Sequence, residues 1–465
     1  MSTSESGGLK GKQVAVIGLG ASGRAAARLA LQKGGEVYVS DLRIDAQAAA
    51  GGAELRALGA EVETGGHDIE RLARADLVVV SPGIPPNAPV LAALRGRGVR
   101  WISEPELAVR FFAGPLIAVT GTNGKTTTTL LVAHLLEAAG ARAAVGGNVG
   151  GGLAPPASEL ALLGDAPDWY VLEMSSFQLA DTERFRPDIG VVTNLSPDHL
   201  DRYGSVEAYY ADKARLFLNA DSSSRWVLPA NDEGVRALAG DAPGTRYHFA
   251  SESGEGVNAF VDAGRLSVRL EASADPEPLL AAEELPLLGR HNRLNALAAA
   301  LVARVAGADA ASLGRGLRTA SPLPHRLEPV VESRGILWVN DSKATNVAAT
   351  RSALESLSRP VVLLLGGKDK GEDFRQLAPA LGRGVRAVLA FGAAGPRIVR
   401  ELRELQDSAP VTLLSGGLDE VVREAAALAR PGDLVLLSPA CSSFDMFENY
   451  EDRGRRFAAL AREVA

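Results

Sequence analysis

Short apolar runs alternate with stretches of helical periodicity along most of this chain, and the alternation falls into three similar blocks. In the first, Gln13–Ile17, Glu36–Ser40 and Leu77–Val80 predict buried strands, and an Ala-rich helix follows the turn at Gly18–Gly23 and runs to about Lys33. In the second, Leu116–Val119, Trp169–Leu172 and Ile189–Val192 predict strands, and Thr126–Ala139 and Asn292–Val305 predict helices. Ser251–Pro278 turns polar and strand-like, which predicts a peripheral antiparallel excursion. The third block follows the Pro-punctuated linker Ser321–Pro324, with strands expected at Ile336–Val339, Val361–Leu365, Ala387–Phe391 and Leu434–Leu437. Strands that alternate with helices indicate parallel α/β units. The expectation is an α/β protein of three domains: 1–103 Rossmann-like, 104–320 a P-loop-type domain on a parallel sheet, and 321–465 Rossmann-like.

Length and composition agree with this. At roughly 150 residues per domain, 465 residues make three. Hydrophobic residues at 46% can fill several cores. The net charge of −7 provides no basic footprint for nucleic acid or anionic membrane. No apolar run reaches the length of a membrane span. Met1–Gly8 lacks the apolar core of a secretory signal and reads as a frayed tail. Cys441 is the single cysteine, so no intramolecular disulfide can form, and a cytoplasmic location is expected.

The sharpest chemical signal is Gly121-Thr122-Asn123-Gly124-Lys125-Thr126-Thr127, placed between a strand and a helix. Backbone N–H groups of such a turn converge on phosphate oxygens, and the helix adds its positive end. Lys125 would reach the β- and γ-phosphates of ATP, and the Thr126 hydroxyl suits Mg²⁺. Val119 stands where the usual motif has its first glycine, so the loop is a shorter variant. Glu173 ends a buried strand, where a carboxylate without a partner is costly, and reads as a metal ligand. His199, in Asn194-Leu195-Ser196-Pro197-Asp198-His199, reads equally as a ligand or as a structural histidine. Gly18-x-Gly20-x-x-Gly23, with Asp41 ending the next strand, carries a dinucleotide fingerprint. Read alone, it suggests NAD.

Taken together, these segments resemble the Mur ligases of peptidoglycan synthesis. The resemblance runs from Gly18 to about Gly454. It is carried by Gly-Leu-Gly-x-x-Gly at 18–23, Ser-Pro-Gly-Ile at 81–84, the phosphate loop, Gly-Asn-Val-Gly at 147–150 and Leu-Glu-x-Ser-Ser-Phe-Gln-Leu at 172–179. Further along are Asn-Leu-x-Pro-Asp-His-Leu-Asp-Arg-Tyr at 194–203, Gly-x-His-Asn-x-x-Asn at 289–295, Asn-Asp-Ser-Lys-Ala-Thr-Asn at 340–346 and Leu-Ser-Pro-Ala-Cys-Ser-Ser at 437–443. It is nearest the branch that adds D-glutamate to UDP-N-acetylmuramoyl-L-alanine through an acyl phosphate, releasing ADP and phosphate.

The resemblance implies roles residue by residue. Lys125, Thr126 and their loop hold ATP phosphates, and Glu173 and His199 hold magnesium. Lys213, which by itself reads as an ordinary surface lysine, matches a lysine that the family carbamylates. Asn292, Asn295, Arg326 and Asp341 match ATP contacts, and Lys343 a lysine near the transferred phosphate. Ser22, Asp41, Arg43, Gly83 and Asn148 match UDP contacts, which turns Asp41 from NAD to a UDP ribose. Thr345, Lys370, Ser443 and Tyr450 match the glutamate pocket, with Tyr450 where the family commonly has Phe and Phe444 where it commonly has Leu. Cys441 reads as packing. A monomer is expected. The alternatives are another Mur-type or folylpolyglutamate-synthase-like ligase and, in a different class, an NAD-dependent dehydrogenase.

Overall fold

The structure is a computed structural model that describes residues 8–150, 152–198, 202–271, 273–382, 384–405 and 409–465. His199 and the tail before Gly8 lie outside the described residues. The described residues form three sheets.

The first sheet has the spatial order Glu61–Thr64, Glu36–Asp41, Gln13–Ile17, Leu77–Val80, Ile102–Ser103. All its pairs are parallel. Side chains alternate across a strand. Val14 and Val16 therefore enter one apolar core, and Ala15 and Ile17 enter another on the opposite face. Burial on both faces explains why these strands read as unbroken apolar runs. The central strand pairs with the second strand on one side and with Leu77–Val80 on the other, so a crevice opens beyond its C-terminal end.

The second sheet repeats that arrangement. Leu116–Thr120 lies between Trp169–Glu173 and Ile189–Val192, all parallel, and its end leads into the phosphate loop. Outward, Arg225–Pro229 and Thr245–Phe249 continue the parallel order. Ala259–Asp262, Arg265–Val268 and Glu277–Ala281 then add on, antiparallel to one another, as the polar stretch predicted.

In the third sheet Leu434–Leu437 sits between Ile336–Asn340 and Val361–Gly366. Val361, Leu363 and Leu365 face one core, and Val362 and Leu364 the other. Among the described residues only Glu328–Ser333 runs antiparallel in this sheet. Cys441 is buried in the first of these cores, and burial pushes its thiol up to about 12, as packing requires.

By compactness the chain forms two units. One runs to Ala281 and takes in Asn295–Leu317; the other comprises Ala282–Leu294 and Arg318–Ala465. The helix Arg290–Val305 begins in the second and continues in the first.

The apolar pattern missed several strands. Glu61–Thr64, Ala143–Gly147, Glu328–Ser333 and Val411–Leu413 lie at sheet edges, and most of their residues are only partly buried or exposed. A strand covered on one edge and half-wet does not need a continuous apolar run.

Candidate functional site

The phosphate loop connects Leu116–Thr120 to the helix Lys125–Ala138. Two of its glycines are required by space and conformation. Gly121 has φ +136°, and a Cβ there would overlap the Thr193 hydroxyl. Gly124 has φ +81°, and a Cβ there would overlap the side-chain oxygen of Asn295. Gly124 caps the helix without a side-chain hydrogen bond. The loop is braced from below. Thr122 N donates to Asn194 O (3.0 Å), Asn123 N to Asn194 Oδ1 (3.0 Å) and Thr193 Oγ1 to Asn123 O (2.6 Å). Lys125 Nζ donates to Thr122 O at 2.8 Å, curling the side chain over the loop.

Lys213 departs most from its local reading. It lies on the helix Val206–Ala214, is 1% exposed, and its Nζ donates to Gly121 O at 2.7 Å. Burial first, and then the charge of Lys125, lower its pKa to about 7. Four residues earlier on the same face, Tyr209 donates its hydroxyl to Thr122 Oγ1 at 3.3 Å. Glu173 is buried at the end of its strand. Asn148 Nδ2 donates to its Oε1 at 3.2 Å, whereas Oε2 is buried without a hydrogen-bond partner. Such an orphaned oxygen on a hard donor fits a cation.

Lys125, Asn148 and Lys213 line one cavity of about 350 Å³ together with Pro82, Gly83, Ser175, Ser176, Phe177, Arg202 and Tyr209. Residues expected to meet UDP therefore share a space with residues expected to meet ATP phosphates. Ser175, Ser176, Phe177, Arg202 and Tyr209 were not among the sequence candidates. The first four stand inside segments that carried the resemblance, and Tyr209 is one turn before Lys213; those placements were the available signal.

In the first sheet the glycine motif closes tightly. A Cβ on Gly23 would overlap Gly18 O, whereas one on Gly20 meets open space. The helix Ala21–Gln32, carrying Ser22 in its first turn, has no side-chain cap. Asp41 Oδ2 accepts from Leu19 N at 2.6 Å and its Oδ1 from Arg43 N at 2.8 Å. Burial alone would raise this carboxyl, but those backbone donors and the Arg43 guanidinium outweigh it and hold it below its usual range.

In the second unit the expected glutamate residues Lys370 and Thr345 meet, Nζ to Oγ1, at 3.3 Å. Ser443 is buried and its carbonyl accepts from Met446 N and Phe447 N, while Phe444 is 69% exposed. Tyr450 opens the helix Tyr450–Val464, and Lys343 Nζ lies 5.4 Å from its ring centroid. Asp341 accepts from Ser438 Oγ (2.7 Å) and Leu327 N (3.2 Å), and burial raises its carboxyl to about 7. Arg326 is flanked by His325 and Leu327 at φ +63° and +41°, strained positions of the kind held at functional sites. Asn292 Nδ2 donates to Leu288 O at 2.8 Å. Among the described residues no cluster of three His, Cys, Asp or Glu side chains could hold a metal, and no helix is long and apolar enough to cross a membrane.

Family models match most of the chain. Residues 12–103 match the Mur ligase MurD-like N-terminal domain, 119–303 the Mur ligase middle domain, and 325–441 the Mur ligase glutamate ligase domain. A UDP-N-acetylmuramoylalanine–D-glutamate ligase of Acidobacterium capsulatum is 45% identical over 97% of this chain and 96% of its own length. The protein of the same name from Anaeromyxobacter dehalogenans is 44% identical over 98% and 99%. Among solved structures, the UDP-N-acetylmuramate-alanine ligase MurC of Thermotoga maritima superposes with a TM-score of 0.58 at 20% identity, covering 98% of this chain and all of that one. The MurF ligase of the same organism, in complex with ADP, gives 0.57 at 17%, covering 99% of this chain and 97% of that one. With three domain models in order and relatives this similar end to end, the chain belongs to the Mur ligase family.

Proposed function

We propose that this protein is the ATP-dependent ligase that joins D-glutamate to UDP-N-acetylmuramoyl-L-alanine in peptidoglycan precursor synthesis. The observation that carries the reading is the shared cavity, in which Gly83 and Asn148 stand with Lys125 and Lys213. The names of relatives at 44–45% identity agree with it.

The alanine carboxylate attacks the γ-phosphorus of ATP, and the bond to the bridging oxygen breaks, releasing ADP. The glutamate amine then attacks the acyl phosphate carbon, loses a proton, and inorganic phosphate leaves. Most of such catalysis is positioning and charge neutralisation. Lys125 and the loop of Gly121, Thr122, Asn123, Gly124, Thr126 and Thr127 bind the phosphates. Asn292, Asn295, Arg326 and Asp341 contact the rest of ATP, and Lys343 the transferred group. Ser22, Asp41, Arg43, Gly83 and Asn148 bind the UDP moiety. Lys370, Thr345, Ser443 and Tyr450 hold glutamate, whose two carboxylates each need a charge-assisted partner.

Thr126, Glu173 with its orphaned oxygen, His199 and a carbamylated Lys213 are the proposed holders of Mg²⁺. When bound, the ion would neutralise phosphate charge. Lys213 suits carbamylation because CO₂ adds to the neutral amine, and a pKa near 7 keeps much of it neutral at physiological pH. We place the enzyme in the cytoplasm as a monomer. A dehydrogenase leaves Lys125 and Glu173 without a task.

The test is phosphate release with UDP-N-acetylmuramoyl-L-alanine, ATP and a panel of amino acids. Turnover with D-glutamate, lost in Lys125→Ala with the fold intact, is the expected result. Equal turnover with L-glutamate or L-lysine would place the chain in another branch.

A further inference from the structure

The acceptor carboxylate must approach a phosphate of its own sign, and none of the side-chain roles above assigns it a partner of its own beside the proposed Mg²⁺. Among the described residues, three side chains that are cationic by type line the cavity: Lys125, Lys213 and Arg202. Lys125 belongs to the phosphate loop. Lys213 is buried with its Nζ given to Gly121 O, and it becomes an anion when carbamylated. Among the described residues no carboxylate lines the cavity.

Arg202 is held in place yet under-used. Its guanidinium stacks over the Phe177 ring, 4.0 Å from the centroid. Nη2 reaches the carbonyls of Pro82 and Ile84 only at 3.5 and 3.4 Å, the long limit of hydrogen bonding. Its Nε is buried with no hydrogen-bond partner. A buried donor left unpaired is uncommon in a native fold and marks a place where a ligand or water belongs. Stacking on Phe177 fixes the plane of the fork, and a planar fork matches a carboxylate with two parallel bonds. The substrate's diphosphate has its own donors in the uncapped N–H groups of the helix start after Gly20, where a Cβ would meet only open space.

We propose that Arg202 is the residue that binds the reacting carboxylate of the UDP-linked substrate, aligning it for attack on the γ-phosphate. This rests on the ligase reading above.

The test is calorimetric binding of two ligands to wild type, Arg202→Ala and Arg202→Gln: UDP-N-acetylmuramoyl-L-alanine and its alaninamide, which keeps the diphosphate and lacks the carboxylate. Wild type should prefer the acid. Each variant should bind the acid about ten- to hundredfold more weakly, the usual effect of losing a hydrogen bond to a charged group, and bind the amide as wild type does. ADP binding and melting temperature verify the fold, and Arg202→Gln keeps an aliphatic stem over Phe177 should the alanine variant misfold. Equal weakening for acid and amide would assign Arg202 to the diphosphate and overturn the proposal, as would unchanged binding of both. Failure of wild type to bind the acid at all would instead sink the ligase reading, and this proposal with it.

Discussion

Replacing Gly124 by alanine should disable ATP binding while leaving the UDP-substrate site intact. Gly124 sits at φ +81°, ψ −6°, a left-handed conformation that costs an alanine roughly 1–2 kcal/mol. Its new Cβ would overlap Asn295 Oδ1 and lie 3.0 Å from Asn295 Cγ and 3.1 Å from Nδ2. The whole amide group is in the way, and Asn295 is buried on the helix Arg290–Val305, so it cannot simply swing aside. Overpacking of this kind costs about 1–3 kcal/mol. The sum, about 2–5 kcal/mol, is what the variant must spend to keep the phosphate-binding shape. It corresponds to roughly thirty- to several-thousand-fold in apparent ATP affinity. The assay is the ATP KM, with the KM for the UDP substrate and thermal melting alongside. Gly96→Ala is the control, because a Cβ there meets nothing within 4 Å. Near-native ATP KM in Gly124→Ala would refute the claim that this backbone geometry makes the phosphate site.

Lys213→Ala should be nearly inactive, and short carboxylates should partly restore it by standing in for the carbamate; full phosphate release in CO₂-depleted buffer would remove that role. Glu104 is fully buried, accepts from Ser158 N, and burial raises its carboxyl from 4.5 to about 7. Its folded pKa lies above its unfolded one, so the folded state holds the proton longer and stability falls as pH rises from about 4.5 to 7, by about 3 kcal/mol in all. Glu104→Gln should flatten that slope in urea unfolding between pH 5 and 8, and parallel curves for variant and wild type would contradict it. Lys370→Ala should raise the glutamate KM ten- to hundredfold, the range expected for a lost charge-assisted bond, and leave the KM for the UDP substrate in place; a matching rise in both would move Lys370 out of the glutamate pocket.

The sequence by itself determined the parallel α/β class, because strands buried on both faces must be apolar throughout, as Val361–Gly366 and Leu434–Leu437 are. It also placed the Gly121–Thr126 loop between a strand and a helix, where the structure has it, since Gly, Lys and Thr at that spacing mark such a turn. Edge strands such as Glu61–Thr64 stayed hidden, because a half-exposed strand is stabilised by its neighbour's hydrogen bonds and not by its own apolar side chains. Lys213 looked like a surface lysine because no neighbour in sequence reveals that its helix lays it against Gly121. The same holds for Asn295, which explains Gly124 only once its side chain is packed on the loop. Arg202 became a candidate only through Phe177 and the carbonyls of Pro82 and Ile84, residues 25 and about 120 positions away in the chain. Burial, pKa and unsatisfied donors are properties of what surrounds a group, and in this protein those surroundings are assembled by tertiary contacts.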